Sequence, residues 1–298
     1  MKADDARAWQ DAVLDEVFVA IAEDPELVRY LVFKGARVLV RHVPEAARRS
    51  LDLDANVTAE FVAVFPELRQ RAAEMQRRIG AALNRHFERA DPVRFELESI
   101  RVEPKPPGGH PRGWNALQAQ IRVRDLRQAG VRGLPMLTID LAAPERLSDH
   151  STTTLDVGGR KVTVYTLERI AGEKLRAFLS TTPEHQAKKS GVRETLRVKD
   201  LPDLARILEH APLSDVAFWN AAGEEFRLAC EGRGVDCAGW RSFEAVEPLA
   251  RETYAKDATV AATIPFDLAW ACVRRIVAQF EKEGITPFAY ALPDRGDA

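Results

Sequence analysis

The sequence has few cysteines and no long hydrophobic run. Its three cysteines, Cys230, Cys237 and Cys272, all lie in the last quarter of the chain, and none forms a Cys-x-x-Cys pair. Their odd number and spacing exclude a disulfide framework and a recognisable zinc site. No stretch approaches the roughly 18 apolar residues that span a bilayer, and the charged N-terminus has no apolar signal core. We therefore expect a cytoplasmic protein without a membrane partner.

The sequence also has almost no net charge and little lysine. Its 43 basic and 45 acidic side chains give a formal charge of −2. This balance excludes a uniformly basic nucleic-acid coat, although it allows a local basic surface. Only 10 of the basic residues are lysines, so the position of each lysine is informative. With 298 residues, of which 46% are hydrophobic, the chain is long enough for two globular domains.

The order of sequence patterns predicts a mixed α/β half followed by a helical half. Alternation of apolar and polar residues predicts strands at 50–57, 95–102, 116–123 and 136–141, and helical periodicity predicts a long helix over 65–89. A hairpin is expected at Gly158-Gly159, and the pattern is helical from residue 167 onward. We therefore predict an α/β (α+β) fold with a mixed sheet in residues 1–165 and a helical C-terminal domain in residues 166–298.

Two carboxylates share one face of the first predicted strand. Residues i and i+2 of a strand point to the same side, so Asp52 and Asp54 project together while Leu51 and Leu53 face the core. Carboxylates placed about 6–7 Å apart at their origins can hold a hard cation such as Mg²⁺ between them. An Asp-x-Asp triplet is also common on half-exposed strands without any metal, so the pair alone leaves both interpretations open.

Two further features favour phosphoryl-transfer chemistry. Asp140 lies on the polar side of another alternating strand, where a third acid can ligate a metal or deprotonate an attacking hydroxyl. Lys34-Gly35 interrupts an apolar stretch upstream of Asp52. A glycine there lets backbone N–H groups approach a phosphate, and the neighbouring Lys34 and Arg37 add positive charge. Taken alone, this segment is better explained as a helix-breaking glycine beside surface charges.

Together these segments resemble the AbiEii-type nucleotidyltransferase toxins, which belong to the DNA polymerase beta-like nucleotidyltransferase superfamily. The resemblance covers roughly residues 30–210, and five motifs occur in the family's order. They are Phe33-Lys34-Gly35-Ala36-x-x-Leu39, Arg48-x-Ser50-x-Asp52-x-Asp54, Ile139-Asp140-Leu141, Glu173-Lys174-Leu175-x-Ala177 and Arg197-x-Lys199-Asp200-Leu201-x-Asp203-Leu204.

The resemblance implies a polymerase beta-like core and a metal-dependent enzyme. It implies that the enzyme is the toxin of a toxin–antitoxin pair, moves a nucleotide from an NTP to an RNA acceptor such as tRNA, and meets a cognate antitoxin. Mg²⁺ or Mn²⁺ is expected on Asp52 and Asp54. The implied catalytic residues are Asp52, Asp54, Asp140, Lys174 and Asp200. The implied nucleotide-binding residues are Lys34, Gly35, Ala36, Arg37, Arg48, Ser50 and Lys174.

One position departs from the family pattern. Ala36 stands where the family has a second glycine, and Arg37 stands where it has a small polar residue. The extra methyl of Ala36 lies where backbone should approach phosphate, whereas Arg37 could compensate with charge. The alternatives to the enzyme are therefore a non-catalytic nucleotide- or RNA-binding homologue, or an interaction protein resembling an antitoxin.

Lys174 and Asp200 also have ordinary structural interpretations. Lys174 lies among apolar residues of a predicted helix, where its stem can follow the surface and its ammonium can reach a triphosphate or pair with an acid. Asp200 precedes Leu201-Pro202 and is well placed as a helix N-cap. The resemblance instead places both near the active site, with Asp200 holding Lys174 or Arg197 rather than a metal.

Arginines concentrate on the long helix predicted over 65–89. Arg71, Arg78, Arg85 and Arg89 are spaced by seven and four, which places them near one helical stripe. Such a stripe could follow an RNA backbone, and these four are our candidate RNA-binding residues. A solvated helix face is the alternative. A second basic group, which includes Arg122, Arg124 and Arg127, lies near the third predicted strand.

Overall fold

A computed structural model describes residues 3–44, 51–107, 109–110, 113–128, 133–189, 196–261 and 263–292. Its centre is a seven-stranded sheet in the order β3-β4-β5-β2-β1-β7-β6. The strands are β1 Leu31–Lys34, β2 Asp52–Val57, β3 Phe95–Lys105, β4 Ala116–Asp125, β5 Leu137–Ala142, β6 Thr152–Val157 and β7 Arg160–Tyr165. β2 runs parallel to β5 and β1 runs parallel to β7, while the other neighbours are antiparallel.

Helices surround this sheet and make up most of the later part of the chain. The first five are α1 Ala3–Ala22, α2 Pro25–Tyr30, α3 Gly35–His42, α4 Ala59–Val64 and α5 Leu68–Arg89. After the sheet come α6 Leu167–Leu179, α7 Pro183–Lys188, α8 Asp200–His210, α9 Val216–Glu231, α10 Arg241–Glu244, α11 Glu247–Lys256, α12 Ala258–Ala261 and α13 Phe266–Lys282. In the part of the chain that the structure describes, no helix is long and apolar enough to cross a membrane.

The two faces of the sheet differ in chemistry because apolar and polar residues alternate along its strands. Leu53 of β2, Ile139 of β5 and Ile121 of β4 are fully buried on one face, which packs beneath α1 and α5. Their neighbours in sequence project to the other face, and these polar residues are partly buried or, at Arg122, exposed. This polar face carries Asp52, Asp54 and Asp140, so the pattern that builds the core also presents the acids.

The helices after β7 pack on one another and on the end of the sheet. α6 crosses α9 so closely that a Cβ on Gly172 would lie 2.6 Å from the backbone nitrogen of Phe226. α6 also contacts α3 and α8, so it bridges the sheet and the remaining helices. A glycine at the crossing therefore lets α6 bring its polar side chains close to the polar face of the sheet.

These observations confirm the predicted α/β fold with a mixed sheet followed by a helical region. The long helix begins at Leu68 rather than at residue 65, because Pro66 follows the shorter helix α4. β3 and β4 are longer than expected and end at Lys105 and Asp125. The division of the chain into two domains at residue 165 stays a prediction.

Candidate active site

Three carboxylates meet on the polar face of the sheet, where β2 lies beside β5. The parallel register places Asp54 directly beside Asp140, and Asp52 beside Thr138. One carboxylate oxygen from each of Asp52, Asp54 and Asp140 lies within 4.8 Å of the other two. Three oxygen ligands this close together are the donor set that a hard divalent cation prefers.

Asp54 shows how strongly negative charge is concentrated here. Its burial and the neighbouring carboxylate of Asp52 raise the pKa of Asp54 to about 6, against the opposing charges of Lys34 and Arg197. Desolvation and a like charge both disfavour the ionised form of a carboxyl group. The site is therefore short of positive charge, which a bound cation would supply.

Two side chains that the sequence did not single out fix the position of Asp140. The amide of Gln118 on β4 donates to Asp140 Oδ1 at 2.8 Å, and the ammonium of Lys105 at the end of β3 donates to the same oxygen at 3.1 Å. Alternation along β4 places Gln118 on the polar face, but its pairing with Asp140 depends on a strand register that spacing alone does not reveal.

Asp54 and Asp140 line a cavity of about 440 Å³ between the sheet and the helices that follow it. This volume lies within the range of small-molecule sites. The sheet side contributes Lys34, Gly35, Asp54, Asp140 and Tyr165, and the helical side contributes Glu173, Lys174, Arg176, Arg197 and Asp200. The cavity therefore combines an acidic cluster with several basic side chains, as nucleotide phosphates with a bound cation require.

Gly35 occupies a position that no larger residue fits. It begins α3 with φ +80°, and a Cβ there would lie 2.8 Å from the carboxylate carbon of Asp54. Only glycine adopts such a positive φ without strain. The glycine therefore lets the start of α3 lie directly against the Asp54 carboxylate. The backbone at Gly35 lines the cavity.

We expect Gly35→Ala to disturb the site without unfolding the protein. The new methyl group must displace the Asp54 carboxylate, and the strained backbone should lower the free energy of unfolding by about 1–3 kcal/mol. Urea unfolding and nucleotidyl transfer measure the two effects. Gly159→Ala is the matched control, because it also has a positive φ, 77°, but no atom lies near its Cβ. Equal loss of transfer in both variants would contradict the close-approach argument.

The two residues after Gly35 do not line the cavity. Ala36 is buried, and the guanidinium of Arg37 donates to Asp11 at 3.0 Å and to Asp15 at 2.6 Å, both on α1. The expectation that Arg37 adds charge at a phosphate is corrected accordingly, because its side chain points to α1. The predicted nucleotide-binding residues Arg48 and Ser50 lie outside the described residues.

Lys174 lies in the wall of the cavity between two buried acids. Its Nζ donates to Asp203 at 2.5 Å and to Asp200 at 3.2 Å, and Arg197 also pairs with Asp200. Burial would raise the pKa of Asp200, but Arg197 and Lys174 outweigh it and lower the value to about 2. Asp200 thus pairs with two cations of the cavity wall, and it is not one of the three clustered carboxylates of Asp52, Asp54 and Asp140.

Comparisons with known proteins agree with this geometry. Residues 17–269 match the family described as the nucleotidyl transferase AbiEii toxin of type IV toxin–antitoxin systems. The chain belongs to this family. It is therefore a nucleotidyltransferase, and the resemblance inferred from the five motifs is confirmed. Membership also implies an NTP substrate, a divalent metal and an antitoxin partner.

One of the similar solved structures shows the same fold at low sequence identity. An H. pylori protein described as a nucleotidyltransferase is 12% identical with a TM-score of 0.53, over 95% of this chain and 97% of that one. MenT4, a nucleotidyltransferase toxin of Mycobacterium tuberculosis, is 16% identical with a TM-score of 0.48, over 93% of this chain and 84% of that one. Among curated proteins, none matches the sequence.

A buried acid that the motifs do not include organises the far side of this nucleotidyltransferase site. Glu145 follows β5 and accepts from Lys34 Nζ at 3.4 Å, Tyr165 Oη at 2.9 Å, Arg169 at 3.3 Å and Arg233 at 3.2 Å. Burial alone would raise the pKa of Glu145, but these cations hold it well below its usual range. The four donors come from β1, β7, α6 and the segment just after α9, so no local pattern could have predicted their convergence.

The arginine stripe of α5 is correctly located on one helix but is not a free cationic surface. Arg71 is buried and donates to the carbonyl of Pro66, and Arg78 pairs with Glu74 and Glu26. Arg85 and Arg89 are more exposed, and they pair with Asp24 and Glu23, which lie next to the end of α1. The fold therefore already uses Arg71 and Arg78, while RNA binding by the exposed Arg85 and Arg89 stays a prediction.

Proposed function

We propose that this AbiEii-family enzyme transfers a nucleotide from an NTP to an RNA acceptor such as tRNA. The observation that carries the proposal is the cluster of Asp52, Asp54 and Asp140 at a cavity whose other wall bears Lys174 and Arg197. Carboxylates that hold a cation beside a basic wall suit the reacting phosphates of a nucleoside triphosphate.

The donor set fits a hard divalent cation. Three carboxylate oxygens lie close together, and the raised pKa of Asp54 reflects uncompensated negative charge. Asp52 and Asp54 would hold Mg²⁺ or Mn²⁺, with Asp140 beside them. When bound, the cation supplies Lewis-acid stabilisation of the negative charge on the transferring phosphate.

The chain's own residues position the triphosphate. Lys34 and the open backbone at Gly35 line the cavity from the sheet side, and Lys174 lines it from α6. Lysine is a compact point charge suited to phosphate oxygens. Asp200 and Asp203 hold the Lys174 ammonium in the wall, so Lys174 is a nucleotide-binding residue and Asp200 is a positioning residue.

Asp140 is suited to the acceptor hydroxyl. The hydroxyl oxygen attacks the α-phosphorus and forms a new O–P bond. The bond between the α-phosphorus and the oxygen that bridges it to the β-phosphorus breaks, and pyrophosphate leaves. The hydroxyl proton passes to the carboxylate of Asp140, which Gln118 and Lys105 orient. General-base assistance of this kind contributes typically 10²–10⁴-fold to a rate.

Labelled NTPs, Mg²⁺ and total tRNA test this proposal directly. We expect transfer of label to RNA by the wild-type protein, loss of transfer on chelation by EDTA, and recovery with Mg²⁺ or Mn²⁺. Asp52→Ala should abolish transfer, whereas Asp156→Ala, at an exposed position near the end of β6, should leave it unchanged. Absence of transfer with every NTP would contradict the proposal, and NTP binding without product would indicate a non-catalytic homologue.

The proposed activity also predicts how the protein affects a cell that expresses it. Modification of tRNA would arrest growth when the chain is expressed without its antitoxin, and co-expression of a cognate antitoxin should relieve that arrest. A cytoplasmic location suits an enzyme that acts on tRNA, and it stays a prediction.

A further inference from the structure

The polar face of the sheet continues beyond the catalytic acids along β4. Alternation places Gln118, Gln120, Arg122 and Arg124 on this face, while the residues between them are buried on the opposite face. We call these four residues the β4 row. Each of its side chains offers hydrogen-bond donors, and none of them carries negative charge. The row is therefore a line of donors on the surface of an otherwise charge-balanced protein.

The β4 row begins at the reaction centre. Gln118 donates to Asp140, and Gln120 donates to Gln118 at 3.4 Å. Alternate residues of a strand are about 6.8 Å apart, so the row extends roughly 20 Å from Gln118 to Arg124. Anything bound along it would therefore have one end at Asp140, where the acceptor hydroxyl must lie.

The outer end of the row is exposed and weakly neutralised. Arg124 pairs with Glu96 of β3 at 3.3 Å, with more than two fifths of each side chain exposed. Arg122 is exposed, and it lies opposite Ser99 and has no ion-pair partner among the residues that the structure describes. Exposed ion pairs contribute about 0–1 kcal/mol, so Arg124 can exchange Glu96 for a phosphate at little cost.

The neighbouring strand limits what can bind. β3 is the edge of the sheet, and the residues opposite the β4 row are Glu96, Ser99, Arg101 and Glu103. Arg101 pairs with Glu103, so β3 offers no continuous line of cations to a second strand of phosphates and leaves the row itself open to one. A single strand of RNA fits this arrangement, since its phosphates suit Arg122 and Arg124, and its 2′-hydroxyl groups suit the amides of Gln118 and Gln120.

We infer that the β4 row binds, as a single strand, the segment of RNA that leads to the acceptor hydroxyl. This inference rests on the proposed RNA acceptor and extends it to a specific surface. We prefer the β4 row to the α5 stripe because the row begins at Asp140 on the polar face of the sheet, whereas α5 packs beneath the opposite, apolar face.

Paired substitutions test the inference. Arg122→Ala/Arg124→Ala removes two cations from the row, and Arg160→Ala/Arg275→Ala removes two exposed arginines on β7 and α13 as a charge-matched control. A short single-stranded RNA with a 5′ fluorescein reports binding by anisotropy at several salt concentrations. Because all four arginines are exposed, we expect every variant to keep the wild-type urea midpoint.

The row variant should bind the labelled RNA at least tenfold more weakly than the control. The slope of log Kd against log salt should fall by about 0.7 for each phosphate that an arginine no longer neutralises, or about 1.4 for the two arginines together. In transfer assays its KM for RNA should rise while its KM for NTP stays unchanged.

Each other outcome is equally informative. Equal RNA affinity in the row variant and the control would overturn the inference, as would a wild-type protein that binds no RNA at low salt. If only Arg85→Ala/Arg89→Ala weakens RNA binding, the RNA-binding surface is on α5 instead. RNA binding that depends on the row, without any nucleotide transfer, would support the row and contradict the proposed function. Normal transfer with an unchanged KM for RNA in the row variant would contradict the row alone.

Discussion

Asp54→Asn is expected to lower nucleotidyl transfer by about three orders of magnitude while leaving the protein folded. Asp54 is the central member of the carboxylate cluster and lies against Gly35. The amide keeps the shape of the side chain but removes the charge that would hold the cation. Loss of about 4 kcal/mol of transition-state stabilisation corresponds to a factor of roughly 10³.

The same substitution should not lower the free energy of unfolding at neutral pH. Burial and Asp52 raise the pKa of Asp54 to about 6, so its ionised form is less favourable in the folded chain than in the unfolded chain. Replacing it by a neutral amide removes that penalty. Single-turnover transfer, Mn²⁺ binding and urea unfolding separate the effects, with the exposed Asp267→Asn as control. A variant that transfers nucleotide at more than a tenth of the wild-type rate would remove Asp54 from the proposed site.

Lys174→Met is expected to lower both stability and transfer. Lys174 is the cation shared by Asp200 and Asp203, and all three side chains are buried. Removing one partner of a buried ion pair leaves uncompensated charge and costs about 3–5 kcal/mol. Urea unfolding should show this loss, and transfer should be absent at every temperature at which the variant remains folded.

A second substitution distinguishes the structural role of Lys174 from its nucleotide-binding role. Lys174→Met/Asp203→Asn neutralises the stranded acid, while Asp200 keeps its pairing with Arg197. We expect most of the missing stability to return but transfer to stay absent, with a raised Kd for NTP. Recovery of transfer together with stability would show that Lys174 acts only as a structural counterion.

The acids of the site are predictable from sequence because their geometry is local. Alternation alone places Asp52 and Asp54 on one face of β2, and it places Asp140 on the polar face of β5. That β2 and β5 lie side by side can be expected once the fold of the family is recognised. Their side-chain oxygens do come together in the structure, and Lys174 lines the same cavity as Asp54 and Asp140.

Contacts that depend on the three-dimensional arrangement were not predictable in this way. Glu145 and Lys105 belong to no motif, and their partners come from strands and helices far apart in sequence. The partners of the α5 stripe were missed for the same reason. Its local acids are few, but Glu23, Asp24 and Glu26 lie more than fifty residues away in the chain and reach Arg78, Arg85 and Arg89. Spacing within one helix cannot reveal such neighbours.

The four donors of Glu145 lie at different distances from its carboxylate, and this has a consequence for substrate binding. Lys34 makes the longest of the four contacts, at 3.4 Å, and it alone of the four belongs to the strand that leads into Gly35. Arg169, Arg233 and Tyr165 continue to satisfy the carboxylate if the lysine turns away. The ammonium of Lys34 can therefore move to bind an arriving triphosphate, and the carboxylate of Glu145 keeps its other three donors.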